Sequence, residues 1–327
     1  MRICFMAIGS TRFTNRPPTR LKTLVFNAAL FLALTAALWL RLHIRRRKIE
    51  ARFAPIGAFI TIGGAKLHYK ISGSGPDIVL IHGASGNLRE WEFGLRKALE
   101  DRFRVTAFDR PGHGYSDAIA GGDHLAAQAA HLRAASAALG IRTPVLLGHS
   151  CGGSVALAWA LQEKPAALML MSAPSLPWPG KLDLWYRITN TRFGRALVAP
   201  IAAALVRVAY VRRATNAVFA PQSAPRAYLD DFGAMLATRA HSLAANTAQV
   251  NALLGDIRAQ MAEYPTLDMP CEMIHGDADT IVPLAIHAQK LAHILPRARL
   301  TILHGAGHMP HHAHLAAVLA ALARLLP

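Results

Sequence analysis

Residues 144–162 read PVLLGHSCGGSVALAWALQ: a short apolar run, a glycine-rich turn and an apolar segment with helical spacing. The run 144–149 predicts a buried strand, and 154–162 predicts a helix. The turn between them contains Gly148-His149-Ser150-Cys151-Gly152, which has the pattern Gly-x-Ser-x-Gly. In this setting the glycines permit a strained backbone that exposes the serine hydroxyl at the end of the sheet. The stretch therefore predicts a nucleophilic Ser150, with a plain tight turn as the alternative.

The same alternation of apolar runs and helical segments continues on both sides. Further strands are predicted at 58–64 and 66–72, joined as a hairpin, and at 77–82, 104–109, 166–172, 271–276 and 299–305. Helices are predicted near 88–99, 124–139 and 284–294 and at the C-terminus. This order indicates an α/β fold with a largely parallel sheet flanked by helices. We expect its core at 55–174 and 266–327, interrupted by an all-helical insertion at 175–265.

Positive charge is concentrated in two segments. The 327 residues include 36 Lys and Arg against 19 Asp and Glu, a net charge of +17. Residues 1–52 hold 11 basic residues and one acidic residue, and residues 181–213 hold seven and one. The rest is nearly neutral, whereas a nucleic-acid binder more often spreads basic and aromatic residues over its folded face. The pattern argues against nucleic acid and favours attraction to a membrane surface.

The cysteines do not predict a stabilising framework. Cys4, Cys151 and Cys271 are odd in number and far apart in sequence. They exclude a disulfide framework and fit no common zinc spacing. We expect no metal and no organic cofactor, and the oligomeric state is left open.

The N-terminal segment contains 18 uncharged residues, 23–40, between basic flanks. As a helix this run is about 27 Å long, enough to cross a hydrocarbon core. We predict a basic tail at 1–22, an uncleaved transmembrane anchor at 23–40 and a basic juxtamembrane linker at 41–54. A cleaved signal peptide is the alternative, but the basic leader is long and no clear small-x-small site follows. The denser basic cluster after the span places the large domain in the cytoplasm.

A nucleophilic serine needs a base, and the base needs an orienting acid. In strand–turn–helix serine sites the acid and the base follow the serine in that order. Asp279 follows the predicted strand 271–276, and His308 follows the last strand behind Gly305-Ala306-Gly307. Carboxyl ends of strands are where open α/β sheets place their sites. We therefore predict Asp279 as the acid and His308 as the base. Asp277 competes with Asp279 but is better suited to a turn.

An acyl-transfer site also needs donors for the negative charge that develops on the carbonyl oxygen. His82-Gly83-Ala84-Ser85 follows the predicted strand 77–82. The backbone N–H groups of Ala84 and Cys151 are the candidate donors. We interpret His82 as a support for this loop and Cys151 as a small residue in the turn.

Five motifs together resemble the α/β-hydrolase superfamily, in its serine-nucleophile, lid-containing branch. In chain order they are His82-Gly83, Phe108-Asp109-Arg110-Pro111-Gly112-His113-Gly114-Tyr115-Ser116-Asp117, Gly148-His149-Ser150-Cys151-Gly152-Gly153, Gly276-Asp277-Ala278-Asp279 and Gly307-His308. They occur in the family's order across residues 56–327, and their joint occurrence is far more specific than any one of them. The resemblance implies a mostly parallel eight-stranded sheet, with the helical insertion acting as a lid.

The resemblance also implies residue roles. The nucleophile matches Ser150, the acid Asp279 and the base His308. The family marker at 108–117 looks structural, so Asp109 is expected to be a turn and hydrogen-bonding residue, as is His113. Haloalkane dehalogenases and epoxide hydrolases of this branch use aspartate as the nucleophile, and Ser150 argues against both. Carboxylesterases, lipases, lactonases, cofactor-free haloperoxidases and carbon–carbon bond hydrolases remain.

Three functions follow as hypotheses. The first is a membrane-anchored serine hydrolase that cleaves a carboxylic ester through an acyl-enzyme. The apolar, sparsely basic segment 193–211 suits a helix that faces the substrate or the membrane, although a lid packed on its own core is the simpler interpretation. Together with the anchor and the basic lid, it suggests an amphipathic or lipid-like ester. The second is a carbon–carbon bond hydrolase on a diketone-type acid, with lid arginines binding the carboxylate. The third is a membrane-tethered binding protein without activity, against which the intact serine, acid and base argue.

Overall fold

The computed structural model of the protein describes residues 19–225 and 227–326, and an eight-stranded sheet forms its centre. The strands are β1 (Ala58–Ile62), β2 (Ala65–Ser72), β3 (Asp77–Ile81), β4 (Arg104–Phe108), β5 (Val145–His149), β6 (Ala167–Met171), β7 (Cys271–Gly276) and β8 (Ala298–Leu303). The helices are α1 (Thr19–Arg52), α2 (Leu95–Leu99), α3 (Leu125–Ala138), α4 (Cys151–Gln162), α5 (Leu184–Thr189), α6 (Ala199–Leu205), α7 (Val208–Phe219), α8 (Tyr228–Asp231), α9 (Ala240–Gln260), α10 (Ala288–Ile294), α11 (Pro310–Ala313) and α12 (Leu315–Leu325).

The strands lie in the order β1-β2-β4-β3-β5-β6-β7-β8. β2 pairs antiparallel with β1 and β4, and all pairs from β4 to β8 are parallel. The central strands read as continuous apolar runs because a parallel sheet is covered by helices on both faces. Leu132 of α3 and Trp159 of α4 pack on one face, and Trp91 and Val318 of α12 pack on the other. The predicted α/β fold with a mostly parallel eight-stranded sheet is confirmed.

The segment 88–99 differs from the single helix predicted there. It forms a 3₁₀ helix, Leu88–Glu92, followed by the short helix α2. Gly94 between them has φ of 119°, far from the right-handed helical region, so the chain changes direction.

Helices fill the insertion between β6 and β7. It contains α5 to α9, a π-helical turn at Gly194–Val198 and 3₁₀ helices at Ala234–Thr238 and Met261–Thr266. The insertion lies over the loop that follows the carboxyl end of β3, because the Ser85 N–H donates to Asn246 Oδ1 of α9 at 2.7 Å and Asn87 Nδ2 donates to Phe232 O at 3.0 Å.

α1 is one unbroken helix of 34 residues, so the segment 41–54 predicted as a linker is helical as far as Arg52. Its apolar part is exposed, while Ile49 and the following Phe53 pack against Leu236 of the insertion. The helix is long and apolar enough to cross a membrane, a property shared by anchors and signal sequences. Most of the predicted basic tail, residues 1–18, lies outside the described residues, as does Cys4.

Candidate active site

Ser150 lies in the turn between β5 and α4. It has φ of 49° and ψ of −127°, a strained conformation for a residue with a side chain. Its N–H donates to Met171 O at 2.9 Å, which fixes the turn to the end of β6. The turn needs glycine at Gly152, since a Cβ there would lie 2.0 Å from Ile81 O of the adjacent strand. The sequence therefore holds the serine in the strained conformation typical of exposed nucleophiles.

Asp279 and His308 are in direct contact. His308 Nδ1 donates to Asp279 Oδ2 at 2.8 Å, and Asp279 Oδ1 accepts the N–H groups of Ile281 and Val282, both at 2.9 Å. Burial favours the protonated carboxyl, but hydrogen bonds from His275 and His308 outweigh it and hold the pKa of Asp279 below its ordinary value. Burial lowers the pKa of His308 below 6.5, against the opposing effect of Asp279. The pair therefore consists of a carboxylate and a neutral imidazole at pH 7.

Asp277, the competing acid, is bound elsewhere. It accepts a hydrogen bond from His304 Nδ1 at 2.9 Å and from Gly305 N–H at 2.7 Å. His304 is exposed at the surface. The structure thus pairs Asp279, and not Asp277, with His308.

Ser150 and His308 belong to neighbouring segments. His149, the residue before the serine, donates from Nε2 to the backbone oxygen of His308 at 2.9 Å. No hydrogen bond joins Ser150 Oγ to His308 within the described part of the chain. Such bonds are often long in unliganded enzymes and tighten when substrate binds.

The two predicted oxyanion donors, Ala84 and Cys151, lie in the loop after β3 and at the start of α4. Burial raises the pKa of the Cys151 thiol, and the Arg110 guanidinium partly offsets this rise. The role of the two N–H groups as oxyanion donors stays a prediction. The Cys151 side chain is half-buried, consistent with a small residue of the turn.

Arg110 holds the loop that carries Ala84. Its Nε donates to His82 O at 2.9 Å and its Nη2 to Gly83 O at 3.0 Å. Its backbone N–H donates to His82 Nε2 at 2.9 Å, and burial lowers the pKa of His82 to about 4. His82 is therefore a neutral support of this loop at pH 7.

Comparison with known proteins shows the family to which this fold belongs. A family model for the alpha/beta hydrolase fold matches residues 76–315. The chain belongs to the α/β-hydrolase family. An uncharacterized protein of Mycobacterium tuberculosis is 30% identical over 273 residues, 79% of this chain and 77% of the relative.

Two further α/β-hydrolase relatives are esterases by name. A pimeloyl-(acyl-carrier protein) methyl ester esterase of Nitrosomonas europaea is 28% identical over 265 residues, 75% of this chain and 94% of that protein. The structure of a thermophilic esterase from Thermogutta terrifontis aligns with a TM-score of 0.66 at 23% identity, covering 82% of this chain and 97% of that one. The chain is a hydrolase, with esterases among its relatives.

Two residues of α9 that the sequence analysis missed contact the loop and the arginine beside the candidate site. Asn246 Oδ1 accepts the N–H of Ser85 at 2.7 Å. Gln249 Oε1 accepts from Arg110 Nη1 at 2.8 Å, and its Nε2 donates to Pro111 O at 2.8 Å. Both side chains are buried, and their spacing of three places them on one face of the helix. The sequence feature that could have indicated them is two polar residues, spaced three apart, on the inward face of a helix.

The sequence analysis also missed Glu90. It is a buried carboxylate whose Oε1 lies 2.7 Å from His149 Nδ1 and 3.0 Å from His311 Nε2. These three residues are of the types that bind metal ions and lie directly behind Ser150 and His308. Their spacing in the sequence does not reveal this cluster, because residues 90, 149 and 311 come together only in the folded protein.

Proposed function

We propose that the protein is a membrane-anchored serine hydrolase that cleaves a carboxylic ester with Ser150, His308 and Asp279. The observation that carries this proposal is the strained serine turn lying beside a buried Asp279–His308 pair. This is the arrangement that activates a serine hydroxyl at neutral pH. The esterase relative from Nitrosomonas europaea, which spans most of this chain, favours an ester substrate.

The reaction proceeds in two acyl-transfer steps. Ser150 Oγ bonds to the carbonyl carbon while its proton passes to His308, and Asp279 keeps the His308 Nδ1 proton in place. The N–H groups of Ala84 and Cys151 bind the oxyanion. His308 then gives its proton to the leaving alcohol, and an acyl-enzyme remains. Water attacks the acyl-enzyme with His308 again as the base, which releases the acid and restores Ser150.

The positions of the basic residues in the insertion favour an ester over a diketone-type acid. The buried Arg239 of the insertion is already bonded to Glu50 and to Gly114 O. The seven basic side chains between residues 181 and 213 lie at the surface, where they do not enclose a substrate carboxylate: Lys181, Arg187, Arg192, Arg195, Arg207, Arg212 and Arg213. The buried Arg110 near the serine is already bonded to two backbone oxygens and two glutamines.

The contact between α1 and α6 supports a location at the bilayer. Arg41, the first charged residue after the uncharged run 23–40, donates from Nε to Ala204 O at 2.9 Å. α6 therefore lies at the level where the proposed span leaves the hydrocarbon. Trp39 and Arg41 are residue types that anchor such an end. The dense basic cluster on this side favours a cytoplasmic catalytic domain.

The surface of the insertion beside this contact is apolar. Outside α1, eight of the eleven exposed large apolar side chains in the described residues lie between positions 184 and 210: Leu184, Ile188, Phe193, Leu197, Ile201, Leu205, Val208 and Tyr210. Basic side chains are interspersed among them, as in helices that lie in the interface of an anionic membrane. We infer that this surface touches the bilayer and that the substrate ester is amphipathic.

The first test exposes the full chain, purified in detergent, to a fluorophosphonate. Ser150 Oγ attacks phosphorus, fluoride leaves, and the hydroxyl proton passes to His308. We expect the wild type to be labelled and Ser150→Ala to be unlabelled while unfolding at the same temperature. A folded wild type that is not labelled would contradict the proposal and favour the binding-protein hypothesis.

The second test compares two phenylalanines in full-length protein reconstituted into anionic phospholipid vesicles. Phe193→Glu changes the apolar surface of the insertion, and Phe59→Glu is the matched control on exposed β1. We expect Phe193→Glu alone to slow hydrolysis of a long-chain ester in the bilayer by about tenfold, the effect of losing one apolar contact. A short soluble ester is expected to be unaffected. Equal rates for both variants on the long-chain ester would contradict the membrane contact.

A further inference from the structure

Glu90 lies at the centre of a buried network on the inner side of the proposed site. The residue belongs to the 3₁₀ helix Leu88–Glu92, which follows the loop carrying Ala84. Its carboxylate is only 3% exposed and contacts the rings of His149 and His311. A buried carboxylate is costly unless it is paired, so this arrangement needs a compensating cation.

Each of the two histidines lies close in the chain to one of the reacting residues, Ser150 and His308. His149 immediately precedes Ser150 and donates to the backbone oxygen of His308 at 2.9 Å. His311 follows His308 by three residues and lies in α11. We propose that Glu90 is a positioning residue, which fixes the serine turn and the His308 loop relative to each other through His149 and His311. This role rests on the proposed hydrolase function.

The charges of the network follow from its contacts. Burial opposes protonation of His149, but Glu90 outweighs it and raises the pKa of His149. Burial and the His149 cation lower the pKa of His311 to about 4. Glu90 therefore favours the charged form of His149, and His311 is neutral at pH 7. The centroids of the His149 and His308 rings are 5.0 Å apart, and the cation helps to keep the pKa of His308 low.

Other titratable groups also face the network. Glu90 is faced by His82, Arg110, Tyr228 and His312. Burial lowers the pKa of His82 to about 4 and that of His312 to about 2, and it raises the pKa of Tyr228, so these three are neutral near pH 7. Arg110 remains charged. His308 is faced by Asp279, His149 and His275.

Direct contact explains this cluster better than a shared metal ion. Ligands about 2.0–2.1 Å from a tetrahedral zinc lie about 3.4 Å apart. The Glu90 oxygen is 2.7 and 3.0 Å from the two ring nitrogens, which is closer than that spacing. Electrostatic attraction between the Glu90 carboxylate and the His149 ring accounts for the shortest of these distances.

The experiment measures the rate of fluorophosphonate labelling against pH in the full chain. The variant is Glu90→Gln, and Glu92→Gln is the matched control in the same 3₁₀ helix, where Glu92 pairs with Lys70 and Arg96. The wild-type rate is expected to fall as pH drops through a midpoint below 6.5, where His308 becomes protonated. In Glu90→Gln, His149 loses its proton and no longer lowers the pKa of His308, so the midpoint moves to higher pH. The maximal rate is expected to fall about tenfold to a hundredfold through misplacement of Ser150.

A second variant separates charge from packing. His311→Gln removes a neutral partner and leaves the Glu90–His149 pair, so we expect its midpoint to match the wild type. The midpoint does not depend on the folded fraction, and it remains informative if a variant is unstable. A Glu90→Gln midpoint equal to that of Glu92→Gln would overturn the proposed role. Stoichiometric zinc in the wild type that is lost in Glu90→Gln would also overturn it. An unlabelled wild type would contradict the hydrolase function itself and this role with it.

Discussion

Two buried aspartate–histidine pairs lie in different parts of the sheet. Asp109 Oδ2 is 2.6 Å from His68 Nδ1, and Asp279 Oδ2 is 2.8 Å from His308 Nδ1. Each aspartate accepts two backbone N–H groups, those of Leu88 and Tyr115 for Asp109 and those of Ile281 and Val282 for Asp279. All four paired side chains are almost completely buried. By local contacts alone, the two pairs would be assigned the same chemistry.

The surroundings of the histidine ring differ. His68 lies inside β2, where its ring packs against Phe59 and Tyr115, and its buried Nε2 has no hydrogen-bond partner among residues 19–225 and 227–326. His308 follows β8 and is bonded through its backbone oxygen to the residue before Ser150. An aspartate–histidine pair can therefore serve catalysis only where the strand ends bring it beside a nucleophile. The Asp109 pair instead fastens the turn 109–117 to β2.

The strongest test of this difference is a pair of isosteric substitutions. Asp279→Asn removes the charge that keeps His308 in its reactive tautomer, and we expect the rate of ester hydrolysis to fall about 10⁴-fold. Asp109→Asn is the matched control, and its rate per folded molecule is expected to stay close to that of the wild type. Hydrolysis rates and active-site titration on full-length protein measure both. A loss of less than tenfold in Asp279→Asn would contradict its proposed role.

The same Asp109→Asn variant is expected to lose stability. The Asp109 carboxylate accepts three hydrogen bonds in a fully buried position, and removing one partner of such a pair costs about 3 kcal/mol. Thermal unfolding in detergent should show a clearly lower midpoint. Asp268→Asn, at an exposed ion pair with Lys164, is the control and is expected to change nothing. Equal midpoints of thermal unfolding for Asp109→Asn and Asp268→Asn would show that the Asp109 pair does not stabilise the turn.

Local sequence patterns predicted the Asp279–His308 pair. They did not predict the Asp109–His68 pair or the contacts of Glu90 and Arg110. Asp279 and His308 could be predicted because each follows the end of a predicted strand, and strand ends can be recognised in the sequence. The Glu90 and Arg110 networks were not predicted, because their partners lie far apart in the chain and meet only when β4, β3 and β5 align. The predicted linker 41–54 is wrong as far as Arg52, because Arg and Lys are good helix formers and α1 continues through it to that residue.

The smallest expected effect is that of a substitution at Asp277. It tests whether the acid of the triad is identified by its place in the sequence motif or by its contact with His308 in the fold. Asp277 lies two residues before Asp279 and also binds a histidine, but its partner His304 is exposed and lies outside the serine site. Exposed pairs of this kind contribute little, because water screens the charges. We expect Asp277→Asn to hydrolyse esters at the wild-type rate and with an unchanged pH profile. A large loss in this variant would reverse the assignment of the acid, because Asp277 would then have to approach His308 during the reaction.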